Sequence, residues 1–170
     1  AGFKWCLKRS YEYVFEMDCD FSHNPEDLIR LYNELREGHC DLVVGSRYVG
    51  NVVNVVNWPM GRVLLSYFAS AYVRFFTRMK LSDATAGFVG YNSKLLKTID
   101  LDKIQFRGYA FQIEMKYTTF RLGFSIKEIP IIFTDRTAGE SKMNGSIIKE
   151  ALFGVLWLRF KSIRPKTTKI

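Results

Sequence analysis

Residues 16–28 read EMDCDFSHNPEDL, with Asp18 and Asp20 flanking one cysteine and a histidine three residues on. Two carboxylates so close make each other harder to ionise, so their neighbourhood must supply a reason for them. Before them, YEYVFEM sets Tyr11, Tyr13, Phe15 and Met17 on one face and Glu12, Val14 and Glu16 on the other. That period of two predicts a strand. After them, Asn24 is placed to cap a helix whose first position is Pro25, with Leu28, Leu31, Tyr32 and Leu35 on one face and Gly38 as its stop. The next run, DLVVGS (41–46), is apolar and β-branched. Strand, helix and strand in this order predict a right-handed βαβ unit, an α/β fold and a parallel sheet. The aspartates then lie at a strand's C-terminal end, the edge where open α/β sheets bind ligands.

The rest of the chain continues this alternation. NVVNVVNW (51–58) reads as a loop, and MGRVLLSYFASAYVRFFTR (60–78) as a helix that is apolar nearly all round, which suits burial or a lipid-facing surface. LSDATAGFVGY (81–91) is a loop entering a short strand, and AFQIEMKYTTFRL (110–122) a helix closed by Gly123. FSIKEIPIIF (124–133) is a strand in which Pro130 marks an edge position. A polar loop, TDRTAGESKMNGS (134–146), leads to Ser146, which is placed to cap a last helix, IIKEALFGVLWLRF. That helix is shorter than the roughly 20 apolar residues needed to cross a bilayer. Residues 146–170 are therefore expected to lie on a membrane surface or against a partner's membrane helix.

The composition, 48% hydrophobic and 15% aromatic over 170 residues, fits one globular domain and excludes a disordered chain. The net charge of +8 is unevenly spread: residues 1–50 carry nine acids against six bases, whereas the residues after Glu150 carry bases alone. With no compact basic helix and no aromatic-basic RNA motif, nucleic acid is not an expected partner. Cys6, Cys19 and Cys40 form an odd set without CxxC spacing, so a disulfide framework is not expected and a reducing cytosol fits. A zinc site of Cys19, His23, His39 and Cys40 matches by residue type but not by spacing.

Carboxylates two apart at a strand's end can share one hard cation, Mg²⁺ or Mn²⁺, whose coordination is completed by substrate phosphates. Such a cation would offset the repulsion and neutralise a diphosphate leaving group. A DxD triplet alone is equally consistent with a capping aspartate beside a solvated one. Arg47 in GSRY, Arg62 in PMGR, and Arg136 with Lys142 in DRTAGESK fall in loops or at helix starts, where arginine forks suit phosphate oxygens. Singly, each also reads as a solvated surface charge.

Taken in order, FEMDCDFSHNPEDL, DLVVGSRYV, NWPMGRVLLS, DATAGFVGY, GYAFQIEM and DRTAGESKM resemble the polyprenol monophosphomannose synthases, or dolichol-phosphate mannosyltransferases, of glycosyltransferase family 2. The resemblance implies an A-type glycosyltransferase fold, Rossmann-like, with a mostly parallel sheet flanked by helices. It implies inverting transfer of mannose from GDP-mannose to a polyprenyl phosphate at the cytoplasmic face of a membrane. By match, Asp18 and Asp20 are the metal pair and Arg47, Arg62, Ser66 and Arg136 hold the acceptor phosphate. Asp83 and Gly87 of DATAGF, and Gln112 and Glu114 of FQIEM, line the acceptor side. His23 is expected as a turn or supporting residue.

The resemblance covers the C-terminal two-thirds of such an enzyme, so the family's N-terminal nucleotide-binding strands are expected to lie outside these 170 residues. The chain is read as a single partial catalytic domain, expected to bind GDP-mannose weakly and to be inactive by itself. Cys19 stands where alanine is usual. Two other readings remain open: a polyprenyl phosphate glucose synthase, and a non-catalytic module that binds anionic lipid.

Overall fold

Tyr13–Glu16 forms strand β1, preceded by a short helix α1 (Gly2–Lys8) and followed by α2 (Asp27–Arg36) and β2 (Leu42–Ser46). The chain continues through β3 (Val55–Val56), α3 (Met60–Thr77), β4 (Val89–Asn92), α4 (Ser93–Thr98), α5 (Gly108–Arg121), β5 (Ile126–Pro130), β6 (Phe133–Thr134) and α6 (Gly145–Phe160). These elements are those of a computed structural model, which describes residues 1–135 and 145–166, the side chains of Asn51 and of 145–150 excepted.

The main sheet has the order β1-β4-β2-β5. β2 pairs in parallel with β5, whereas β4 is antiparallel to both β1 and β2. β1, β2 and β5 thus share one direction, but the expected parallel neighbours β1 and β2 are held apart by a strand running the other way. The reason lies in the register. Val89, the first residue of β4, lies opposite both Glu16 and Val44, near the ends of β1 and β2. The chain therefore re-enters the sheet from the ligand edge and can only run back down it. β5, with Pro130 at its end, is an edge strand as expected.

Both faces of the sheet are covered, so β2 is buried along its whole length. Leu42 and Val44 pack with Val14, Tyr91, Leu95, Leu96 and Met115. Val43 packs on the other side with Leu31, Leu35, Phe88 and Ile129. Asn24 Oδ1 accepts from the Glu26 amide at 3.1 Å in a turn that precedes α2, which begins at Asp27 and not at the expected Pro25, while Gly38, at φ +76°, lets the chain leave α2. The loop expected over 51–58 contains β3, which pairs in parallel with β6. α6 begins one residue before Ser146, the expected cap.

Helix α3 reverses ordinary amphipathicity. Its buried residues are Ser66, Ser70, Val73 and Thr77. Its opposite ridge is apolar and outward, with Met60 70%, Leu64 48%, Phe68 62% and Phe75 78% exposed. α6 packs beside it, Tyr72 donating its hydroxyl to the Leu152 carbonyl at 3.1 Å, and exposes Phe153 and Phe160. Among the described residues no helix is long and apolar enough to cross a membrane.

Candidate active site

The C-terminal ends of β1, β2 and β5 and the start of β4 meet at one edge of the sheet. β1 delivers Asp18 and Asp20 into the loop that follows it, β2 delivers Arg47, and the segment 83–87 arrives just before β4. Ser22 closes the loop that carries the aspartates, its amide and hydroxyl donating to Asp20 Oδ1 at 3.1 and 2.6 Å. The Asp18 carboxylate is exposed. A Cβ on Gly87 would lie 3.6 Å from Asp18 Oδ2, so glycine there leaves the carboxylate uncovered. Exposed Asp18 and half-buried Asp20 are hard oxygen donors of the kind that suits Mg²⁺ or Mn²⁺ completed by phosphate oxygens and water. Among the described residues no three His, Cys, Asp or Glu side chains gather as a metal cage. The zinc reading fails on position: His23 and Cys40 are buried, and His39 pairs with Glu34 at 2.9 Å.

Arg47 is 7% exposed, and its fork closes on Asp83. Nε donates to Oδ2 at 2.6 Å and Nη2 to Oδ1 at 2.7 Å, while Nη2 also reaches Thr85 Oγ1 at 3.0 Å. Burial opposes both charges, yet their mutual attraction and hydrogen bonds hold Arg47 above and Asp83 below the usual range. Tyr48, Trp58 and Phe133 surround the guanidinium at 5.3–5.7 Å. Glu128 on β5 accepts from the Ser82 and Asp83 amides at 2.7 and 2.8 Å, fixing the segment's entry.

Arg62, in the first turn of α3, donates to Asp135 Oδ1 at 2.7 Å and lies 4.1 Å over the Trp58 ring. Ser66, one turn further on, is buried against Tyr48. Segment 133–135 ties these parts together. Phe133 donates its amide to Asn54, Thr134 to Ser22 and Asp135 to Val56, each at 3.0 Å. The ring of His23 packs between Phe88 and Phe133 at 5.2 and 5.1 Å. Burial, opposed by Asp18, lowers its pKa, so this histidine is neutral and packs between the two rings.

Of the expected acceptor-side residues, Arg47, Arg62, Ser66, Asp83 and Gly87 come together at this edge. Gln112 reaches instead to Glu16 Oε2 at 3.4 Å, beneath the metal strand. Glu114 turns away, correcting its expected place: it accepts from the Gln105 and Phe106 amides at 2.9 and 3.0 Å and pairs with Lys161 at 2.6 Å. It joins α5 to α6. Arg136 and Lys142 lie outside the described residues. Sequence reasoning missed Thr85, Glu128, Asp135 and Trp58. Thr85 and Trp58 lie inside motifs already singled out, whereas Glu128 carries no local signal beyond the alternation of its strand.

Comparison with known proteins agrees with this architecture. A family model described as Glycosyl transferase family 2 matches residues 1–100. An undecaprenyl-phosphate mannosyltransferase of Micrococcus luteus is 46% identical over 170 residues, covering 98% of this chain and 69% of that protein. A polyprenol monophosphomannose synthase of Mycolicibacterium smegmatis is 46% identical over 156 residues, covering 91% of this chain and 58% of that protein. Among solved structures, a Mycobacterium tuberculosis glucosyl-3-phosphoglycerate synthase with Mn²⁺, UDP-glucose and phosphoglyceric acid aligns at TM-score 0.64 and 16% identity, covering 92% of this chain and 53% of that one. The same enzyme with Mn²⁺, UDP and phosphoglyceric acid aligns at TM-score 0.63 and 17% identity, covering 93% of this chain and 52% of that one. These structural neighbours share the A-type glycosyltransferase fold. The chain belongs to glycosyltransferase family 2.

Proposed function

We propose that this chain is catalytic machinery of an inverting mannosyltransferase that moves mannose from GDP-mannose to a polyprenyl phosphate at a membrane surface. The observation that carries the reading is segment 83–87, which holds Arg47 through Asp83 at one end and leaves Asp18 uncovered at the other. Segment 83–87 thereby links the exposed Asp18 carboxylate to the Arg47–Asp83 pair at one edge of the sheet. The names of the relatives at 46% identity support mannose and a polyprenyl phosphate.

Asp18 and Asp20 would hold Mg²⁺ or Mn²⁺, which when bound would supply positive charge to a departing diphosphate. Arg62 and Ser66, with Arg136 expected from the sequence, take the acceptor phosphate, while Arg47, its fork held by Asp83, fixes the β2 end of the site. That phosphate is already an anion, so the reaction needs orientation and charge compensation and no strong base. The outward apolar ridge of α3 sits on the same helix as Arg62 and Ser66, which supports apposition to the lipid bearing the acceptor. The 16% identical structural neighbour binds UDP-glucose and Mn²⁺, so glucose transfer is the competing reading. Offering GDP-mannose and UDP-glucose together with polyprenyl phosphate decides between them. Mannosyl lipid as the main product supports the proposal, and glucosyl lipid overturns it.

A further inference from the structure

Lys116, midway along α5, is fully buried at 0% exposed. A buried lysine is ordinarily matched to a carboxylate. Here Nζ donates to two main-chain carbonyls, Ala84 at 3.2 Å and Ala86 at 2.7 Å. Burial lowers its pKa to about 8, against the pull of Asp83, Glu16 and Glu128 and with the push of Arg47. An apolar side chain would fill the position without that cost.

The two carbonyls belong to segment 83–87. Its entry is fixed by Glu128, Asp83 and Thr85 hold Arg47, and Gly87 abuts Asp18. Ala84 and Ala86 lie between these ends, and Lys116 fastens both. We propose that Lys116 is a positioning residue that clamps segment 83–87 and so sets the spacing between the Asp18 end of the site and the Arg47 end. The inference rests on the mannosyltransferase reading for its consequence in turnover, because two phosphates must be held a reacting distance apart.

The test compares wild type, Lys116→Met and Lys116→Arg in the full-length protein, reading amide hydrogen exchange at 84–88, Mn²⁺ affinity, melting temperature and the pH profile of mannosyl transfer. Lys116→Met is expected to speed exchange in the segment about tenfold and to lower kcat/KM about 10²-fold without lowering the melting temperature. Wild type is expected to lose activity as pH rises through about 8 and the ammonium gives up its proton, whereas Lys116→Arg lacks that alkaline limb. Unchanged exchange with kcat/KM within about twofold of wild type in Lys116→Met overturns the proposal. Should Lys116→Met fail to fold, an alkaline limb that persists unmoved in Lys116→Arg overturns it as well. If wild type transfers no mannose but the exchange and Mn²⁺ affinity shift in Lys116→Met, the clamp stands and the substrate reading falls.

Discussion

Arg47 and Asp83 lie 36 residues apart and share one buried, bidentate pair. Removing one partner of such a pair strands the other's charge, which costs about 3–5 kcal/mol. Asp83→Asn is therefore expected to lower unfolding stability by that amount, checked by urea titration at neutral pH. Because the Asp83 carboxyl is held below its ordinary range, its stabilisation is present above pH ~4 and is lost as pH falls through its depressed value. Lys116 has the opposite sign. Its pKa falls from 10.5 to about 8, so below pH 8 the buried ammonium costs the fold on the order of 3 kcal/mol. Stability should then rise between pH 8 and 10.5 while transfer declines, a divergence that thermal melts and rate assays on one sample can read. Arg47 was singled out in GSRY as suited to a phosphate, and Asp83 as a member of DATAGF. Their pairing was not, because nothing local announces a contact made by two loops meeting at a sheet edge.

Helix α3 was legible in extent, since no breaker interrupts residues 60–77, but its direction was not. A sequence apolar nearly all round does not say which face turns inward. The structure turns Ser66, Ser70 and Thr77 in and Phe68 and Phe75 out. If that ridge lies against lipid, Phe68→Glu with Phe75→Glu should weaken association with anionic vesicles about tenfold or more while leaving the melting temperature unchanged. Unaltered sedimentation with vesicles would contradict it. The strands tell a similar story. Period-two alternation located β1, and the β-branched run located β2, yet the insertion of β4 between them was invisible. Adjacency depends on the path of the 83–88 loop, which no periodicity encodes. The short β3 and β6 were missed because two-residue strands carry no pattern to detect.

Across the molecule, each part of the account converges on one edge of one sheet. β1 brings two aspartates, β2 an arginine locked to a carboxylate, and α3 an arginine and a serine on a helix with an apolar outward face. Segment 133–135 stitches the metal loop to β3 through its main chain. That these motifs share one fold was legible because motif order along a chain constrains topology more than any one motif does. The helix FQIEM was read less well: its glutamate serves the junction with α6, a distant contact through Lys161. The chain spans 69% and 58% of the two relatives named above, so catalysis is best measured in the full-length protein. The most direct test is transfer of labelled mannose from GDP-mannose to polyprenyl phosphate with Mn²⁺, with Asp20→Asn assayed alongside. The expected product is a metal-dependent mannosyl lipid whose formation falls at least about 10²-fold in Asp20→Asn. Equal product from Asp20→Asn, or undiminished product after chelation of the metal, would contradict it.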